Sequence, residues 1–413
     1  AGAGEEPRSD GQVLATPSWQ TRGVEVIAGA TAPGFEEHRV LLLERPGGDA
    51  ALVEALVPGS RCEARDASSG GNLAERYSRD AKAVFEWVQA VVRNRRAGRV
   101  LVQLVIADQS EGCSTGLSAI LKTAALENPW LTGQLILVPA GTLPEAIARL
   151  LAEESASALD PVVRYAPGGR QVLRWVEVET DRDAPMAFRD RGVYLITGGT
   201  GGLGLLFARD LLERTGEARV VLTGRSAPSE ETRRRMGVLS GYAGRVAYRQ
   251  MDPTVLDEAI RVVAGVHQEF GRLDGILHCA GLMLVDHAIP AKSGEEFLRV
   301  LAPKVAGAFN LDEASRDVDL DFFVLFSSVS GVLGNARTVD YAAANAFLDG
   351  FAAHRNRLAA ANRRHGRTRS FDWPLWEAGG MGIERSWEQA LQANTGMRAM
   401  RTTTGLRAFD RGL

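Results

Sequence analysis

Two kinds of hydrophobic pattern alternate along most of this 413-residue chain. Short apolar runs rich in β-branched residues are typical of buried strands, and apolar positions spaced three or four residues apart are typical of helices. This alternation predicts an α/β fold, in which helices cover mostly parallel sheets. The predicted helices of the first half are 75–96, 115–127 and 143–154. The predicted strands are 24–30, 38–44, 99–107, 133–139, 172–179, a run beginning at 192, 218–225, 245–252, 274–281, 321–328 and 367–374.

A polar stretch near residue 185 divides this pattern into two halves. The chain length also favours two domains, because a single hydrophobic core rarely grows beyond about 250–300 residues. We therefore predict two Rossmann-like subdomains, the first degenerate and structural, the second a catalytic doubly wound parallel sheet. The predicted ranges are a linker at 1–22, which begins with the polar sequence AGAGEEPRSDGQ, the structural subdomain at 23–185 and the catalytic subdomain at 186–413.

Composition argues against several classes of function. The formal net charge is −3, from 48 Lys and Arg against 51 Asp and Glu, so no basic surface for nucleic acid or a membrane is expected. No uncharged apolar stretch reaches about 18 residues, the length of a membrane-spanning helix. The three cysteines, Cys62, Cys113 and Cys279, are too few and too far apart for a disulfide framework or a zinc site. We expect a cytoplasmic protein without a metal.

The sequence TGGTGGLG at 197–204 follows a predicted strand and precedes a predicted helix. Glycines at such a turn let the backbone approach a pyrophosphate at the helix N-terminus, where unpaired N–H groups favour an anion. The position of this glycine loop therefore predicts nucleotide binding, with a chance glycine-rich loop as the alternative. The residues expected to contact the cofactor here are Thr197, Gly198, Thr200, Gly201, Gly202, Leu203 and Gly204.

The residues after the second strand of this half favour NADPH over NADH. A site for NADH usually has an acidic residue there for the ribose hydroxyls, whereas this chain has Arg225 and Ser226. An arginine can pair with the 2′-phosphate of NADPH, although a solvated surface arginine is the alternative. Asp252, at the end of the third strand, is expected to contact adenine. The cofactor ribose is expected to lie against the end of the fourth strand, formed by His278, Cys279, Ala280 and Gly281.

The first half contains one short motif with two interpretations, GCSTG at 112–116. It fits the G-x-S-x-G turn of hydrolases, with Ser114 as the nucleophile. Polar residues separate the motif from the preceding strand, however, so a sharp strand–turn–helix is not evident. We favour the second interpretation, in which Ser114 or Thr115 is a helix N-cap and the first half is structural.

Tyr341 is followed four residues later by Asn345, where many nicotinamide-dependent reductases have lysine. Either the catalytic pair is lost, or the lysine comes from another part of the chain. Residues 192 to about 410 resemble the ketoreductase domain of a modular polyketide synthase, a short-chain dehydrogenase/reductase, and the first 185 residues resemble the structural subdomain that precedes it. The sequences GCSTGLSAILKTAALENPWLTGQ and DWPLWEAGGMG look most like modules whose acyltransferase acts in trans.

The resemblance answers the question about the lysine. In this family the lysine and the asparagine exchange places, and Lys304, in the sequence APKVAGAFNL, occupies the lysine position. The resemblance implies that Ser328 hydrogen-bonds the ketone oxygen and that Tyr341 donates the proton. The ammonium of Lys304 is expected to lower the pKa of Tyr341 and to hold the nicotinamide ribose, while Asn345 orients the lysine and a water relay. NADPH carries the hydride.

The resemblance also implies a substrate, a 3-oxoacyl thioester on the phosphopantetheine arm of an acyl carrier protein, and neighbouring domains of a megasynthase. A D-3-hydroxy product is expected, because LVD at 284–286 keeps Asp286, the last residue of a Leu-Asp-Asp motif, although its middle residue departs from that motif. Leu333 also stands where modules that give the L-alcohol carry tryptophan. A lid over the substrate is expected at 378–402, with Met381 facing the acyl chain.

Three alternatives stay open at this point. A catalytically inactive structural or binding domain would be expected to lack Lys304, Tyr341 or the glycine loop, and all three are present. A fatty-acid-synthase-type 3-oxoacyl reductase performs the same chemistry, although a free-standing bacterial reductase would lack the first 185 residues. A sugar-nucleotide dehydratase or epimerase keeps the Tyr-x-x-x-Lys that this chain lacks.

Overall fold

The computed structural model contains two α/β units that follow one another along the chain. Each unit is built on one sheet, the first formed before residue 178 and the second after residue 192. The predicted α/β fold with parallel sheets is confirmed. The described residues are 14–24, 34–43, 47–66, 70–95, 98–108, 112–157, 160–178, 186–285, 287–379 and 396–413.

Seven strands form the first sheet: β1 (Ala15–Thr21), β2 (Glu37–Leu43), β3 (Ser60–Arg65), β4 (Val100–Asp108), β5 (Leu131–Pro139), β6 (Val162–Ala166) and β7 (Gly169–Glu177). Their order is β1-β7-β6-β5-β4-β2-β3; the two pairs that include β7 are antiparallel and the other four pairs are parallel. Strands β4 and β5 are mainly apolar because helices cover both faces of a parallel sheet, and their buried Gln103 and Gln134 side chains hydrogen-bond each other at 2.7 Å. These helices are α1 (Gly47–Leu56), α2 (Leu73–Arg93), a 3-10 helix (Cys113–Leu117), α3 (Ser118–Glu127) and α4 (Pro144–Ser157).

Six parallel strands form the second sheet: β8 (Val193–Thr197), β9 (Arg219–Gly224), β10 (Val246–Gln250), β11 (Gly275–His278), β12 (Phe322–Ser328) and β13 (Arg367–Trp373). Their order is β10-β9-β8-β11-β12-β13, so the strand order reverses between β8 and β11. Open α/β sheets bind ligands at such a switch point, at the carboxyl ends of the strands. The helices are α5 (Gly202–Arg214), α6 (Glu230–Met236), α7 (Leu256–Phe270), α8 (Gly294–Ala314), α9 (Val329–Leu333), α10 (Val339–Ala360) and α11 (Thr402–Gly412).

The start of the chain differs from the prediction. Residues 15–21, placed in the predicted linker at 1–22, form β1 and pair along their whole length with β7. This strand escapes the hydrophobic pattern because it is a largely exposed edge strand that contains Pro17, and proline is tolerated at sheet edges. Most of the predicted strand 24–30 lies outside the described residues.

The predicted N-cap in GCSTG is also wrong. Neither Ser114 nor Thr115 caps a helix with its side chain, and the Thr115 hydroxyl instead donates to the carbonyl of Gly112 at 2.8 Å. The motif forms the 3-10 helix before α3 and packs closely on α10. A Cβ at Gly116 would lie 3.0 Å from the backbone of Ala346, so this motif belongs to the interface between the two units.

The two units share one hydrophobic core, in which α2 and α3 pack against α8 and α10. The rings of Phe85 in α2 and Phe297 in α8 stack with centroids 4.6 Å apart. Tyr77 in α2 packs on Phe347 in α10 at 4.7 Å and donates its hydroxyl proton to the carbonyl of Ala343 at 2.8 Å. Buried aromatic pairs of this kind contribute through both their area and their geometry. The first unit therefore supports the two helices that carry Lys304 and Tyr341.

Hydrogen bonds from the first unit also hold the loops that precede α8 and α10. The carboxylate of Glu127 accepts the backbone N–H groups of Ile289 (2.8 Å) and Arg337 (2.7 Å). The side chain of Gln89 donates to the carbonyls of Ile289 (2.6 Å) and Lys292 (2.7 Å). Both loops are thus anchored by side chains that lie more than 100 residues earlier in the chain.

Two features are not found among the residues that the structure describes. No helix of the described part is long and apolar enough to cross a bilayer. In the same residues, no group of three or more His, Cys, Asp and Glu side chains is arranged to hold a metal ion.

Candidate active site

The glycine loop between β8 and α5 forms a backbone cradle at the switch point. Gly198 has a φ of +61°, in the left-handed region, and a Cβ there would lie 2.9 Å from the Cα of Ala280. A Cβ at Gly204 would lie 2.6 Å from the carbonyl oxygen of Gly198. The N-cap residue of α5, Gly201, provides no side-chain cap for the helix. The cradle and the uncapped helix N-terminus fit a pyrophosphate.

The remaining residues of this loop are fixed by close packing. Thr197 is buried at the end of β8, and its hydroxyl oxygen accepts the backbone N–H of Ala280 at 3.3 Å. Gly202 begins α5, where a Cβ would lie 2.2 Å from the carbonyl oxygen of Gly379. Leu203 packs against the hydrophobic core on the α5 face of the second sheet. The predicted cofactor loop is therefore a compact structure with little room for side chains.

Arg225 and Ser226 directly follow β9, and both are exposed. Their carbonyl oxygens accept hydrogen bonds from Gln250 (3.0 Å) and Tyr248 (2.6 Å), respectively. These bonds fix the backbone of the turn and leave the guanidinium of Arg225 at the surface. The solvated surface arginine and the partner of a 2′-phosphate are both compatible with this position.

Arg235 is a second cation near the glycine loop, and the sequence pattern does not indicate it. It lies in α6 and donates to the carbonyl oxygen of Thr200 at 3.4 Å, while it also pairs with Glu231 at 3.1 Å. Arg235 lies ten residues beyond the segment after β9 that the nucleotide-binding motif indicates, so the motif spacing gave no signal for it. Arg225 and Arg235 are thus two guanidinium groups on the segments that follow β9.

Asp252 and the end of β11 were predicted to contact the nucleoside. The Oδ1 atom of Asp252 accepts both the N–H (2.9 Å) and the hydroxyl (2.7 Å) of Thr254, so this side chain shapes the turn before α7. Its contact with adenine stays a prediction. The backbone N–H of Cys279 donates to the carbonyl of Thr197 at 3.2 Å, which joins the end of β11 to the glycine loop. Burial raises the pKa of the Cys279 thiol well above its usual range, so the thiol is protonated.

His278 does not line the ribose as predicted, because its side chain is fully buried between β8 and α8. Its Nε2 lies 3.0 Å from the carbonyl oxygen of Pro303, which can only accept, so Nε2 carries the proton. Its Nδ1 then accepts the hydroxyl proton of Thr197 at 2.7 Å. Burial, reinforced by the charge of Lys304, lowers the pKa of His278 to about 3. A neutral histidine therefore fixes the helix turn that contains Lys304.

Lys304 is 4% exposed, and its side chain crosses from α8 to the end of β12. Its Nζ donates to the carbonyl oxygen of Phe326 at 2.5 Å and lies 5.9 Å from the centroid of the Tyr341 ring. Gly281 leaves room for it, since a Cβ at that position would lie 2.9 Å from Lys304 Cε. The amine is therefore beside the tyrosine, as the resemblance implied.

Burial lowers the pKa of Lys304 to about 8. Three groups oppose this effect and favour the ammonium form: Cys279, Asp349 and Asp372. An ordinary lysine has a pKa near 10.4, so this amine begins to lose its proton at a much lower pH than a surface lysine.

Ser328, Tyr341 and Asn345 meet where β12 ends and α10 begins. Ser328 is the N-cap of α9, and its hydroxyl oxygen accepts the backbone N–H of Ser330 at 3.2 Å. Asn345 is one helical turn after Tyr341 and donates from Nδ2 to the carbonyl of Tyr341 at 2.7 Å. The hydroxyl of Ser327 donates to the carbonyl of Asn345 at 3.1 Å and so ties β12 to α10.

The pKa of Tyr341 is raised, which contradicts the predicted lowering by Lys304. Burial of the ring is the main cause, and hydrogen bonding by Ser328 and Asn345 opposes it. The Oδ1 atom of Asn345 is buried and has no hydrogen-bond partner within the described part of the chain. The phenol is thus a protonated group at neutral pH, with a free acceptor nearby.

A buried ion pair that the sequence pattern does not indicate holds the N-terminus of α10. The ammonium of Lys292 lies 2.7 Å from the Oδ2 atom of Asp340, and both side chains are 0% exposed. The Oδ1 atom of Asp340 accepts the backbone N–H of Tyr341 at 2.9 Å. Burial raises the pKa of Asp340, and Lys292 opposes the shift. The pair joins the loop before α8 to the residue next to the tyrosine.

The structure describes one of the three predicted stereocontrol residues. Leu333 is 52% exposed and ends α9, the short helix that Ser328 caps. Asp286 and Met381 lie outside the described residues, as does most of the predicted lid at 378–402.

A doubly wound sheet with a glycine loop at its switch point and a Ser–Tyr–Lys–Asn group beside it defines a short-chain dehydrogenase/reductase. The family model described as the KR domain matches residues 192–378. The chain belongs to the ketoreductase domains of modular polyketide synthases. Domains of this family are oxidoreductases that use a nicotinamide cofactor. The matched residues include Lys304, Ser328, Tyr341 and Asn345, which we call the tetrad.

Similar proteins cover nearly the whole chain. Polyketide synthase PksN of Bacillus subtilis (strain 168) is 39% identical over 406 residues, which are 97% of this chain and 7% of PksN. PksL of the same organism is 40% identical over 342 residues, 82% of this chain and 8% of PksL. A crystal structure of a ketoreductase domain from the bacillaene assembly line has a TM-score of 0.87 and 38% identity, with 97% of this chain and 94% of that chain covered. The chain thus spans less than a tenth of these two curated relatives, at 7% and 8%.

Proposed function

We propose that this chain uses NADPH to reduce a 3-oxoacyl thioester, carried by an acyl carrier protein, to the D-3-hydroxyacyl thioester during polyketide chain elongation. The grouping of Lys304 and Tyr341 in one buried site beside the glycine loop carries this proposal. Because the chain spans 7% of PksN, neighbouring domains of a larger synthase are proposed as further partners. The assignment to a trans-acyltransferase module stays a prediction.

The proton for the new alcohol comes from Tyr341. Hydride addition to the ketone carbon leaves an alkoxide, which Ser328 stabilises with its hydroxyl and Tyr341 protonates. The raised pKa of Tyr341 suits this direction, because a phenol that is protonated at neutral pH can act as the donor. The tyrosinate that remains is stabilised by the ammonium of Lys304, whose Nζ is 5.9 Å from the ring centroid.

Lys304 and Asn345 serve the cofactor and the return of the proton. The ammonium of Lys304 would donate to the ribose hydroxyls, as the family implies, while it keeps its bond to Phe326. The unpartnered Oδ1 of Asn345 would accept a hydrogen bond from a water molecule, and Tyr341 would regain its proton through this water. When bound, NADPH supplies the hydride.

The choice of NADPH over NADH rests on the two arginines near the glycine loop. Arg225 is exposed directly after β9, where an acidic residue would repel a 2′-phosphate. Arg235 donates to the carbonyl oxygen of Thr200 within the glycine loop. The glycine cradle supports a dinucleotide in general, and these guanidinium groups support the phosphorylated form.

The proposed D-configuration rests on Asp286 and Leu333 alone. A leucine at position 333 cannot supply the indole expected of L-specific modules, and Asp286 keeps the last acidic residue of the D-type motif. The configuration is therefore tested separately from the reaction.

The test is NADPH oxidation by the purified 413-residue chain with a 3-oxoacyl thioester, followed by chiral analysis of the alcohol. We expect turnover to a D-3-hydroxy product in the wild type. The Tyr341→Phe variant should not turn over the substrate but should still bind NADPH, because only the hydroxyl group that donates the proton is removed. Tyr242→Phe is the matched control, since Tyr242 lies in the 3-10 helix at Gly237–Tyr242, outside the tetrad.

Each outcome has a separate meaning. An L-alcohol would keep the reductase and contradict the interpretation of Asp286. Tight NADPH binding without turnover of any 3-oxoacyl thioester would favour the inactive, structural alternative. Equal rates with carrier-bound and free thioesters of unsubstituted chains would favour the fatty-acid-synthase-type reductase.

A further inference from the structure

Two acidic residues that the proposed reaction does not use lie beside the tetrad. Asp349 is in α10, one helical turn after Asn345, and so lies on the same face of the helix. Asp372 is in β13, directly opposite Ser327 in the β12–β13 ladder. The hydroxyl of Ser370 donates to the Oδ1 atom of Asp349 at 2.6 Å. The two acids therefore converge on the end of β12, next to the catalytic serine.

Asp349 and Asp372 interact strongly with one another. Burial raises the pKa of Asp349 well above its usual range, and the charge of Asp372 raises it further. Burial also raises the pKa of Asp372 to about 6, and the positive charges of Lys122 and Lys304 oppose this shift. Because the charge of one carboxylate disfavours ionisation of its neighbour, the two acids would share one proton and carry one negative charge at neutral pH.

Lys304 of the second unit and Lys122 of the first both interact with this acid pair, whose charges favour the ammonium form of each lysine. Lys304 has no carboxylate within salt-bridge distance among the described residues, and its Nζ bonds only the carbonyl of Phe326, the residue before Ser327. Lys122 reaches in from α3 of the first unit and donates to the carbonyl of Val332 at 2.8 Å. A buried ammonium without a counter-charge is costly and tends to lose its proton.

Cys279 would favour the ammonium form of Lys304 only as a thiolate, and burial keeps its thiol protonated. From the end of β11, Cys279 is a protonated thiol and His278 is neutral. From α10, Tyr341 is a protonated phenol. The acid pair is the remaining source of negative charge among the described groups that interact with Lys304.

We propose that Asp349 and Asp372 act as one shared counter-charge that keeps Lys304 protonated at neutral pH. They are positioning residues, because they act through Lys304 and not on the substrate. This inference depends on one part of the proposed function, namely that Lys304 holds the ribose of NADPH.

The expected pH dependence follows from the direction of each shift. Lys304 is charged below its pKa of about 8 and loses its proton as the pH rises through that value, so NADPH affinity falls on the alkaline side. Removal of both acids lowers the pKa of Lys304 further, and affinity is then lost at a lower pH. Removal of one acid leaves the other free to carry the same charge, so each single substitution has a smaller effect.

The experiment is the dissociation constant of NADPH, measured by fluorescence from about pH 6 to about pH 10, around the proposed lysine pKa. The variants are Asp349→Asn, Asp372→Asn and the double substitution. We expect the alkaline midpoint to fall by roughly one pH unit in the double variant, and by less than half of that in either single variant. Lys304→Met serves as the reference and should abolish the alkaline dependence. Ser370→Ala is the matched control, because it removes the hydrogen bond to Asp349 and no charge.

Two results would overturn the proposal. One is an unchanged midpoint in the double variant, which would make the acids structural. The other is a pair of full and additive shifts in the single variants, which would mean two independent charges. If the wild-type protein fails to bind NADPH, the proposed function fails and not this inference.

A second measurement covers the case in which the double variant does not fold. Infrared spectroscopy of the wild-type protein at neutral pH should show the C=O stretching band of a protonated carboxyl group, and Asp349→Asn should remove that band. Absence of the band from the wild type would contradict the shared proton.

Discussion

The two units of this chain have the same α/β architecture and differ at their switch points. In the second unit the turn after β8 is a glycine cradle that leads into an uncapped helix. In the first unit the strand order changes between β2 and β4, and the sequence that follows β2 is ERPGG, which lacks the spaced glycines. Function therefore depends on the turn chemistry, and the fold alone does not predict it.

The units also differ in what their helices contact. Helices α2 and α3 of the first unit pack on α8 and α10 of the second, and GCSTG packs against the backbone of α10. The first unit thus uses its apolar helix faces to hold the helices of the active site. The contacts of the first unit therefore help to fix the helices that carry Lys304 and Tyr341.

The largest expected effect is a loss of NADPH binding when a glycine of the second unit, but not one of the first unit, is replaced. Gly204→Val should abolish NADPH binding, because even a Cβ there would lie 2.6 Å from the carbonyl oxygen of Gly198. Gly168→Val in the first unit is the matched control, since a Cβ at that exposed position meets nothing within 4 Å. NADPH titration by fluorescence measures both variants. Retained binding in Gly204→Val would contradict the cradle.

The next largest effect is on kcat/KM, and it should differ between a lysine of the second unit and one of the first. Lys304→Met should lower kcat/KM by about 10²–10⁴-fold, the range expected when a group that supports general acid catalysis is lost. Lys82→Met, in α2, removes only a partly exposed pair with Glu86 and should leave kcat/KM unchanged. A small effect of Lys304→Met would mean that the tetrad assignment is wrong.

The role of the interface is tested by Phe85→Ala. Loss of its stacking on Phe297 should lower the free energy of unfolding by about 3–5 kcal/mol, as for other buried aromatic residues. Leu52→Ala, at a 40% exposed position of α1, should change stability by less than about 0.5 kcal/mol. Denaturant titration gives the stability of both variants. If kcat of folded Phe85→Ala equals that of the wild type, the first unit adds stability without positioning the active site.

The smallest effect concerns cofactor choice. Arg225→Ala should weaken NADPH binding by roughly tenfold to a hundredfold, the value of one charge-assisted hydrogen bond, and should leave NADH binding unchanged. The ratio of kcat/KM for the two cofactors is the measurement. Equal losses for NADPH and NADH would contradict a contact with the 2′-phosphate, and the same substitution at Arg235 would then be tested.

Local sequence patterns predicted the strands of the second sheet and the glycine loop, because residues adjacent in the sequence determine both kinds of structure. The structure also brings Lys304 beside Tyr341, as the family resemblance implied. The edge strand β1 was missed because its exposed residues carry no apolar period. Local patterns also fail for the Lys292–Asp340 pair, whose members lie 48 residues apart and meet only in the folded chain.

The acid pair could have been suspected from two local signals. Asp349 follows Asn345 by one helical turn, and Asp372 interrupts an otherwise apolar strand end in the sequence SFDWP. Asp372 is half-buried in β13, and a charged residue that is drawn from solvent usually has a partner. The partner itself, and the raised pKa of both acids, required the tertiary structure.

Hydride transfer from deuterated NADPH tests the central claim most directly. The wild-type chain would be incubated with a 3-oxoacyl thioester and NADPH that carries deuterium at the transferred position, and the product would be analysed by mass spectrometry and chiral chromatography. The account predicts one deuterium at C3 of a D-3-hydroxyacyl thioester, and none with Tyr341→Phe. NADPH binding without any deuterium transfer would contradict the assignment of this site as a ketoreductase.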